Sequence, residues 1–213
     1  MKTKDIKNLT VGVVCIIVFV IWTILIQIVD VKAVGIGGTN VGFAKLNTWF
    51  HSLTGVNMTL YTITDWLGLA PIFVCMFFAV IGLVQLIKRK ILLKVDFDII
   101  ILGVYYVIVI MCYLIFEMLP INYRPILING FMEASYPSST TLLVLCVMPT
   151  LVFQANRRLK NKGIKNVIYV ITMLFSVFMV IGRLVSGVHW FTDIIGGILL
   201  SAGLVLIYSS VSR

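Results

Sequence analysis

Long uncharged apolar runs alternate with short polar segments along the 213-residue chain. Each run is close to the ~20 residues that a helix needs to cross the hydrocarbon core of a bilayer. The six runs are Asn8–Val29, Trp66–Ile87, Ile99–Phe116, Ala134–Asn156, Asn166–Gly182 and Ile194–Ser212. The pattern predicts an all-α integral membrane bundle of six transmembrane helices, with helix ends defined to within a few residues.

Composition agrees with a membrane protein. Hydrophobic residues make up 61% of the chain and charged residues 12%, about half of the charged fraction of soluble domains, and the mean hydropathy is +1.10. The first run is longer than the core of a secretory signal, and no Ala-x-Ala-like cleavage site follows it, so we expect a retained helix. Because we find no internal repeat and no linker rich in Pro, Gly or Ser, we expect residues 1–213 to form a single membrane-embedded domain.

The basic residues are distributed unevenly between the predicted loops. With six spans, thirteen of the seventeen lysines and arginines fall on the side of the two termini, and four fall on the other side. This asymmetry predicts cytoplasmic N- and C-termini, and it accounts for the net charge of +9 without a nucleic-acid-binding role, for which no module is visible. The thirteen are Lys2, Lys4, Lys7, Lys88, Arg89, Lys90, Lys94, Arg157, Arg158, Lys160, Lys162, Lys165 and Arg213, and the four are Lys32, Lys45, Arg124 and Arg183.

The longest extracytoplasmic loop, residues 30–65, contains apolar residues at helical spacing. They predict an amphipathic helix in the membrane interface. This helix is either a cap resting on the bundle, which we favour, or a surface for lipid access. We expect His51, which lies on it, to be an exposed polar residue without a catalytic role. The apolar positions are Phe43, Leu46, Trp49, Phe50 and Leu53.

Three ionisable residues, Arg183, His189 and Asp193, lie between the last two apolar runs. Ionisable residues next to membrane spans are functional candidates by default. Arginine binds phosphate oxygens as a planar fork, and a neutral imidazole can attack phosphorus. We expect the Asp193 carboxylate to contact the second imidazole nitrogen, where it would fix the tautomer.

A polar loop before the fourth span supplies further phosphate-compatible groups. Pro137 predicts a helix start with proline at the first helical position. The free backbone N–H groups of Ser138, Ser139 and Thr140 would then form a phosphate site at the positive end of the helix dipole. Arg124 in the same loop and the residues of the fifth loop share this membrane face, which favours one common site.

These residues fall into three motifs that resemble those of the type-2 phosphatidic acid phosphatase superfamily, which includes bacterial undecaprenyl-pyrophosphate phosphatases. The superfamily has six helices. Its motifs are a lysine followed after six residues by Arg-Pro, then Pro-Ser-Gly-His, then Ser-Arg, five residues, His, three residues and Asp. The corresponding segments here are Glu117–Pro125, Pro137–Thr140 and Gly182–Asp193. The third motif is specific, and the first two are degraded.

The resemblance implies that His189 is a nucleophile that forms a phosphohistidine and that Asp193 orients it. Water would hydrolyse this intermediate without a metal or other cofactor, and the substrate would be a membrane lipid phosphate. The resemblance assigns the phosphate oxygens to Arg124, Arg183, Ser138, Ser139 and Thr140.

Four positions depart from the superfamily pattern. Glu117 stands in place of the phosphate-binding lysine, and Thr140 stands in place of the histidine that protonates the leaving group. Ser139 replaces glycine and Gly182 replaces serine. Glu117 or Glu133 is either a replacement acid or a structural partner of Arg124 or Arg183.

Three functions remain compatible with these residues. The first is a phosphatase of the outer face of the cell membrane that prefers a lipid pyrophosphate, because a leaving phosphate needs protonation far less than an alkoxide does. The second is a weak or inactive relative that binds lipid phosphates as a carrier or regulator. The third is a phosphotransferase that uses the same histidine. Paired half-helices typical of transporters are not evident, and the oligomeric state stays open.

Overall fold

Helices dominate the computed structural model, which describes residues 3–212. Lys2 and Arg213, two of the basic residues used for the topology prediction, lie outside the described residues. Short 3-10 turns occur at Ile36–Gly38 and Leu92–Lys94. In chain order the α-helices are α1 (Thr3–Ile28), α2 (Ala44–Thr54), α3 (Met58–Leu67), α4 (Ala70–Arg89), α5 (Phe97–Met118), α6 (Ser139–Arg158), α7 (Lys162–Val185) and α8 (Phe191–Val211).

The six predicted membrane spans are confirmed within residues 3–212. α1, α5, α6, α7 and α8 each form one span, and α3 and α4 together form the remaining one, Met58–Arg89. That span begins eight residues before the apolar run because Asn57 caps α3, its side chain accepting a hydrogen bond from the N–H of Leu60. The fourth span begins at Ser139, later than predicted, because residues 134–138 are not helical.

α6 and α8 form the interior of the bundle, and they are the most buried of the six spans. α8 packs closely against α1, since a Cβ on Gly12 would lie 3.0 Å from the carbonyl oxygen of Gly203. The other face of α8 meets α6, where the hydroxyl of Ser201 donates to the carbonyl of Leu142 at 3.4 Å. The outer helices expose apolar side chains such as Leu174, as expected for a surface that faces lipid.

The two ends of the bundle differ in chemistry. At one end, Arg158 of α6 pairs with Asp98 of α5 at 2.7 Å, and Arg89 of α4 pairs with Asp96, also at 2.7 Å. At the opposite end lie α2, the loop between α5 and α6, and the loop between α7 and α8. The candidate site residues lie at this second end. They are away from the basic cluster at the first end, which includes Arg89 and Arg158.

The predicted amphipathic helix is confirmed as α2. Its buried Asn47 docks it on the bundle by donating to the hydroxyl of Thr192, the second residue of α8, at 3.0 Å. Trp49 and Leu53 are exposed on its outer side. These contacts favour the cap over the lipid-access surface.

Candidate active site

A hairpin-like turn in the loop between α5 and α6 brings the first two motifs together. The N–H of Arg124 donates to the carbonyl of Glu133 at 3.1 Å, and the N–H of Ser135 donates to the carbonyl of Asn122 at 2.9 Å. These two hydrogen bonds set Arg124 and Ser135 on neighbouring segments. Both side chains are buried, so the turn carries them into the end of the bundle.

The loop that holds His189 is fixed from several sides. The indole of Trp190 donates to the carbonyl of Tyr123 at 2.9 Å. Gly187 has a φ of +68°, and a Cβ at this position would lie 1.8 Å from the carbonyl oxygen of Gly55, so only glycine fits. His51 is not the exposed residue expected from the sequence. It is half-buried, and its Nε2 lies 3.1 Å from the carbonyl oxygen of Gly187, so it supports this loop.

Ser135 lies between His189 and Asp193, and all three residues are buried. The Ser135 hydroxyl donates to Asp193 Oδ2 at 2.5 Å and lies 3.0 Å from His189 Nδ1. Asp193 Oδ1 accepts a hydrogen bond from Asn122 at 3.1 Å, and Oδ2 also accepts from the N–H of Trp190 at 3.0 Å. The direct contact expected between carboxylate and imidazole is therefore wrong in detail, since the hairpin inserts a serine between the two groups.

The same contacts define the tautomer of His189. Its Nδ1 also lies 3.1 Å from the carbonyl oxygen of Ser135, which can only accept a hydrogen bond. Nδ1 therefore carries the proton, and Nε2 has a free lone pair. This Nε2 is buried and has no hydrogen-bond partner among residues 3–212. Burial, followed by the positive charges of Arg124 and Arg183, lowers the pKa of His189 well below its ordinary value, so the imidazole is neutral at neutral pH.

Unpartnered buried donors accompany this nitrogen. Four buried donors have no hydrogen-bond partner in the described part of the chain: Nε and Nη1 of Arg124, Nε of Arg183 and the hydroxyl of Ser138. Buried polar groups are normally paired, so a cluster of unpaired donors indicates a place prepared for a ligand. Because two of the residues are arginines, the ligand that fits is an anion with several oxygen acceptors.

The remaining guanidinium nitrogens hold the two arginines in place. Arg124 pairs with Glu133 at 3.2 Å, and Arg183 pairs with Asp65 of α3 at 2.9 Å. Tyr61 supports both arginines, its ring centroid lying 4.8 Å from Cζ of Arg183 and 5.7 Å from Cζ of Arg124. Glu133 is thus the structural partner of Arg124, the second of the two roles considered for it.

The start of α6 differs from the prediction. The helix begins at Ser139 with Ser138 as its N-cap, so the placement of Pro137 at the first helical position is wrong. The N–H of Ser138 donates to the carbonyl of Asp193 at 3.1 Å and is not free for a ligand. The N–H groups of Ser139 and Thr140 belong to the first helical turn, where they have no acceptor within the helix.

The two most divergent positions lie apart from each other. The Thr140 hydroxyl accepts a hydrogen bond from Arg183 Nη2 at 2.6 Å. Glu117 is exposed in the last turn of α5 and lines a small pocket with Ser135 and Ser139. No direct contact joins Glu117 to either arginine among the ion pairs of residues 3–212.

The sequence prediction brought together His189, Asp193, Arg183, Arg124 and Ser138, but missed their partners. Ser135 and Asn122 lie in the polar loop already singled out, yet their contacts depend on the hairpin register. Asp65 and Tyr61 lie in α3, far from the motifs along the chain. The signal that could have identified Asp65 is its position as the last charged residue before an apolar run.

Six apolar spans around a buried cationic cluster define a helical, multi-pass membrane protein with a candidate anion site at one end. The sequence profile of the PAP2 superfamily matches residues 99–213, more than half of the chain, and the chain belongs to this superfamily. The matched region contains α5 except its first two residues, α6 to α8, and all three motifs. PAP2 superfamily members are phosphatases, which supports a phosphate hydrolase.

A solved structure shares the fold. The crystal structure of the transmembrane PAP2-type phosphatidylglycerolphosphate phosphatase from Bacillus subtilis superposes with a TM-score of 0.64, at 19% sequence identity, over 93% of each chain. This similarity shows that the chain has the fold of a membrane lipid phosphatase. No curated protein matches the chain significantly.

Proposed function

We propose that this protein hydrolyses a lipid pyrophosphate, such as a polyprenyl pyrophosphate, through a phosphohistidine on His189. The observation that carries the proposal is the unpartnered Nε2 of His189, buried together with unpartnered donors of Arg124, Arg183 and Ser138. A neutral nucleophile and several preorganised hydrogen-bond donors can together support phosphoryl transfer. Each well-placed donor contributes ~10²–10³-fold in rate in comparable oxyanion sites.

In the first step, Nε2 of His189 attacks the terminal phosphorus while the bond to the bridging oxygen breaks. The lipid monophosphate leaves with the electron pair of that bond. The imidazole becomes positively charged, and its Nδ1–H remains bonded to Ser135, whose hydroxyl bonds to Asp193. The carboxylate thus stabilises the developing charge through one intervening hydroxyl.

Thr140 supports a pyrophosphate substrate over a monoester. Its hydroxyl is bonded to Arg183, and a threonine is not an effective acid at neutral pH. Loss of a general acid costs ~10²–10⁴-fold in rate when the leaving group needs a proton. A leaving lipid monophosphate is a weak base and needs that proton far less than the alkoxide from phosphatidic acid.

The basic cluster at the opposite end supports an orientation with the site on the extracytoplasmic side of the cell membrane, with both termini in the cytoplasm. Its members Arg89 and Arg158 lie at the ends of α4 and α6. In that orientation the substrate headgroup would be presented in the outer leaflet.

The test measures phosphate release by purified protein in detergent with a metal chelator, from undecaprenyl pyrophosphate and phosphatidic acid in parallel. The His189→Ala variant serves as the blank. We expect release from the pyrophosphate that the variant abolishes. Lipid binding without release above the blank would favour a binding protein, and labelled phosphate on another acceptor would favour a phosphotransferase.

A second variant tests the leaving-group argument. Thr140→His restores the residue that the superfamily has at this position. If the missing acid limits the rate, the variant should raise monoester hydrolysis much more than pyrophosphate hydrolysis. Equal effects on both substrates would contradict the argument.

A further inference from the structure

Asp65 lies beside the position from which the superfamily's proton-transfer histidine is missing. Nη2 of Arg183 donates to Asp65 Oδ1 at 2.9 Å and to Thr140 Oγ1 at 2.6 Å. Since both oxygens bind the same nitrogen, they lie within two hydrogen-bond lengths of each other. The carboxylate of Asp65 therefore adjoins the place where Thr140 stands instead of histidine.

The departure at Gly182 is part of the same arrangement. A Cβ at Gly182 would lie 2.7 Å from the Cγ2 atom of Thr64. The superfamily serine at this position would meet that methyl group, so glycine permits the close approach of α3 to α7. This approach is what brings Asp65, next to Thr64 on α3, to Arg183 on α7.

Asp65 is more exposed to water than Asp193 and than Glu133, whose side chain is 38% exposed. The Asp65 side chain is 54% exposed, whereas that of its partner Arg183 is 2% exposed. Asp193 is buried and bonded to Ser135, Asn122 and Trp190. Asp65 thus joins the buried guanidinium of Arg183 to solvent, and unlike Glu133 it shares that guanidinium with Thr140.

We propose that Asp65 is the general base of the second step, in which water hydrolyses the phosphohistidine; this rests on the function proposed above. The Asp65 carboxylate accepts a hydrogen bond from Arg183 Nη2, and a positioned carboxylate can take a proton from water. The free Nε of Arg183 remains available for a phosphate oxygen while Nη2 holds Asp65. The phosphoryl group and the carboxylate are then adjacent on one guanidinium, and the exposed side chain of Asp65 is accessible to water.

A water oxygen attacks the phosphorus, and the bond between phosphorus and Nε2 of His189 breaks, its electron pair returning to Nε2. The water proton passes to the Asp65 carboxylate. Inorganic phosphate leaves, and Asp65 then releases the proton to solvent through its exposed face. In this mechanism the chain has no general acid for the first step, whereas Asp65 supplies the general base for the second.

The test is rapid-quench kinetics with undecaprenyl pyrophosphate radiolabelled at the terminal phosphorus, quenched in alkali, which preserves phosphohistidine. For Asp65→Asn we expect a burst of enzyme labelling at nearly the wild-type rate, followed by hydrolysis slowed by ~10²–10⁴-fold. Labelled enzyme should accumulate towards one phosphoryl group per chain. The matched control is Asp30→Asn, which changes another aspartate at this end of the bundle, paired with Lys32 at 3.4 Å.

Unchanged turnover of Asp65→Asn would overturn the assignment. Loss of the labelling burst would overturn it as well, because Asp65 would then serve the first step or only hold Arg183. If Asp65→Asn does not elute as a folded protein, the test uses Asp65→Glu instead. This variant must retain the labelling burst and release phosphate faster than His189→Ala. If the wild-type protein forms no label on His189, the proposed function itself is wrong. Failure of the proposed function is therefore distinguishable from failure of the Asp65 assignment.

Discussion

Replacing Ser135 by alanine removes the hydroxyl that lies between His189 and Asp193. The change deletes the 2.5 Å hydrogen bond to Asp193 Oδ2 and the 3.0 Å contact with His189 Nδ1. The carbonyl oxygen of residue 135 still accepts from Nδ1, so the tautomer is kept. The substitution therefore disconnects the carboxylate from the imidazole without reversing the position of the proton.

The magnitude follows from the hydrogen bond to a charged group. Such a bond contributes ~1.5–3 kcal/mol, and each ~1.4 kcal/mol of transition-state stabilisation is a factor of ten in rate. This range is an upper limit because the bond also exists before the imidazole becomes charged. We expect kcat to fall by ~10- to 100-fold, with KM little changed, since the phosphate is held by Arg124 and Arg183.

The assay is a double-mutant cycle on phosphate release with Ser135→Ala, Asp193→Asn and the combined variant. If Asp193 acts through Ser135, the combined variant should be no slower than Asp193→Asn alone. Ser135→Thr, which keeps the hydroxyl, should recover part of the rate. Ser201→Ala is the matched control, because Ser201 is a buried serine whose hydroxyl bonds to backbone carbonyls in mid-bundle. Additive losses in the cycle, or a rise in KM equal to the fall in kcat, would refute the reasoning.

Three further predictions concern pH and close packing. Burial and two arginines lower the pKa of His189, so the rate of phosphate release should persist as the pH falls through ~6.5, the ordinary pKa of histidine. A loss of activity with a midpoint at or above this pH would contradict the prediction. Gly187→Ala should lower the melting temperature and kcat, because a left-handed φ costs other residues ~1–2 kcal/mol and the new Cβ has no space; an unchanged melting curve would be the contrary result. Gly182→Ala should cost ~1–3 kcal/mol of folding free energy through its clash with Thr64. Gly103→Ala on α5, where a Cβ meets nothing within 4 Å, should not be destabilised, and equal melting shifts in these two variants would argue against the clash.

The sequence predicted the spans well, for a physical reason. The thickness of a bilayer fixes the length of an apolar run, so each span can be identified from its own residues. The third motif was equally local, since Arg183, His189 and Asp193 lie within eleven residues of one another. Hydrogen-bond partners that are distant along the chain leave no such local pattern in the sequence. Asp65 is 118 residues from Arg183 along the chain, and only the packing of α3 against α7 joins them.

The errors at the second motif have a common cause. Proline favours the first turn of a helix, but the N–H of Ser138 is needed to bind the carbonyl of Asp193. With that tertiary hydrogen bond, residue 138 is non-helical, and α6 starts at Ser139. In the preceding hairpin, the hydrogen bond from Ser135 N–H to Asn122 places Ser135 between His189 and Asp193. Both errors therefore arise from long-range hydrogen bonds that local sequence does not reveal.

The departures from the superfamily pattern at Thr140 and Gly182 have a shared structural explanation that neither position indicates alone. A threonine alone would indicate a lost acid, and a glycine alone would indicate loose packing. In the folded chain, Thr140 is bonded to the guanidinium that also binds Asp65, and Gly182 provides the space that lets α3 carry Asp65 there. If the two positions are linked through Asp65, then Thr140→His and Gly182→Ala should act on different steps. The first should speed the release of poor leaving groups, whereas the second should slow hydrolysis of the phosphoenzyme.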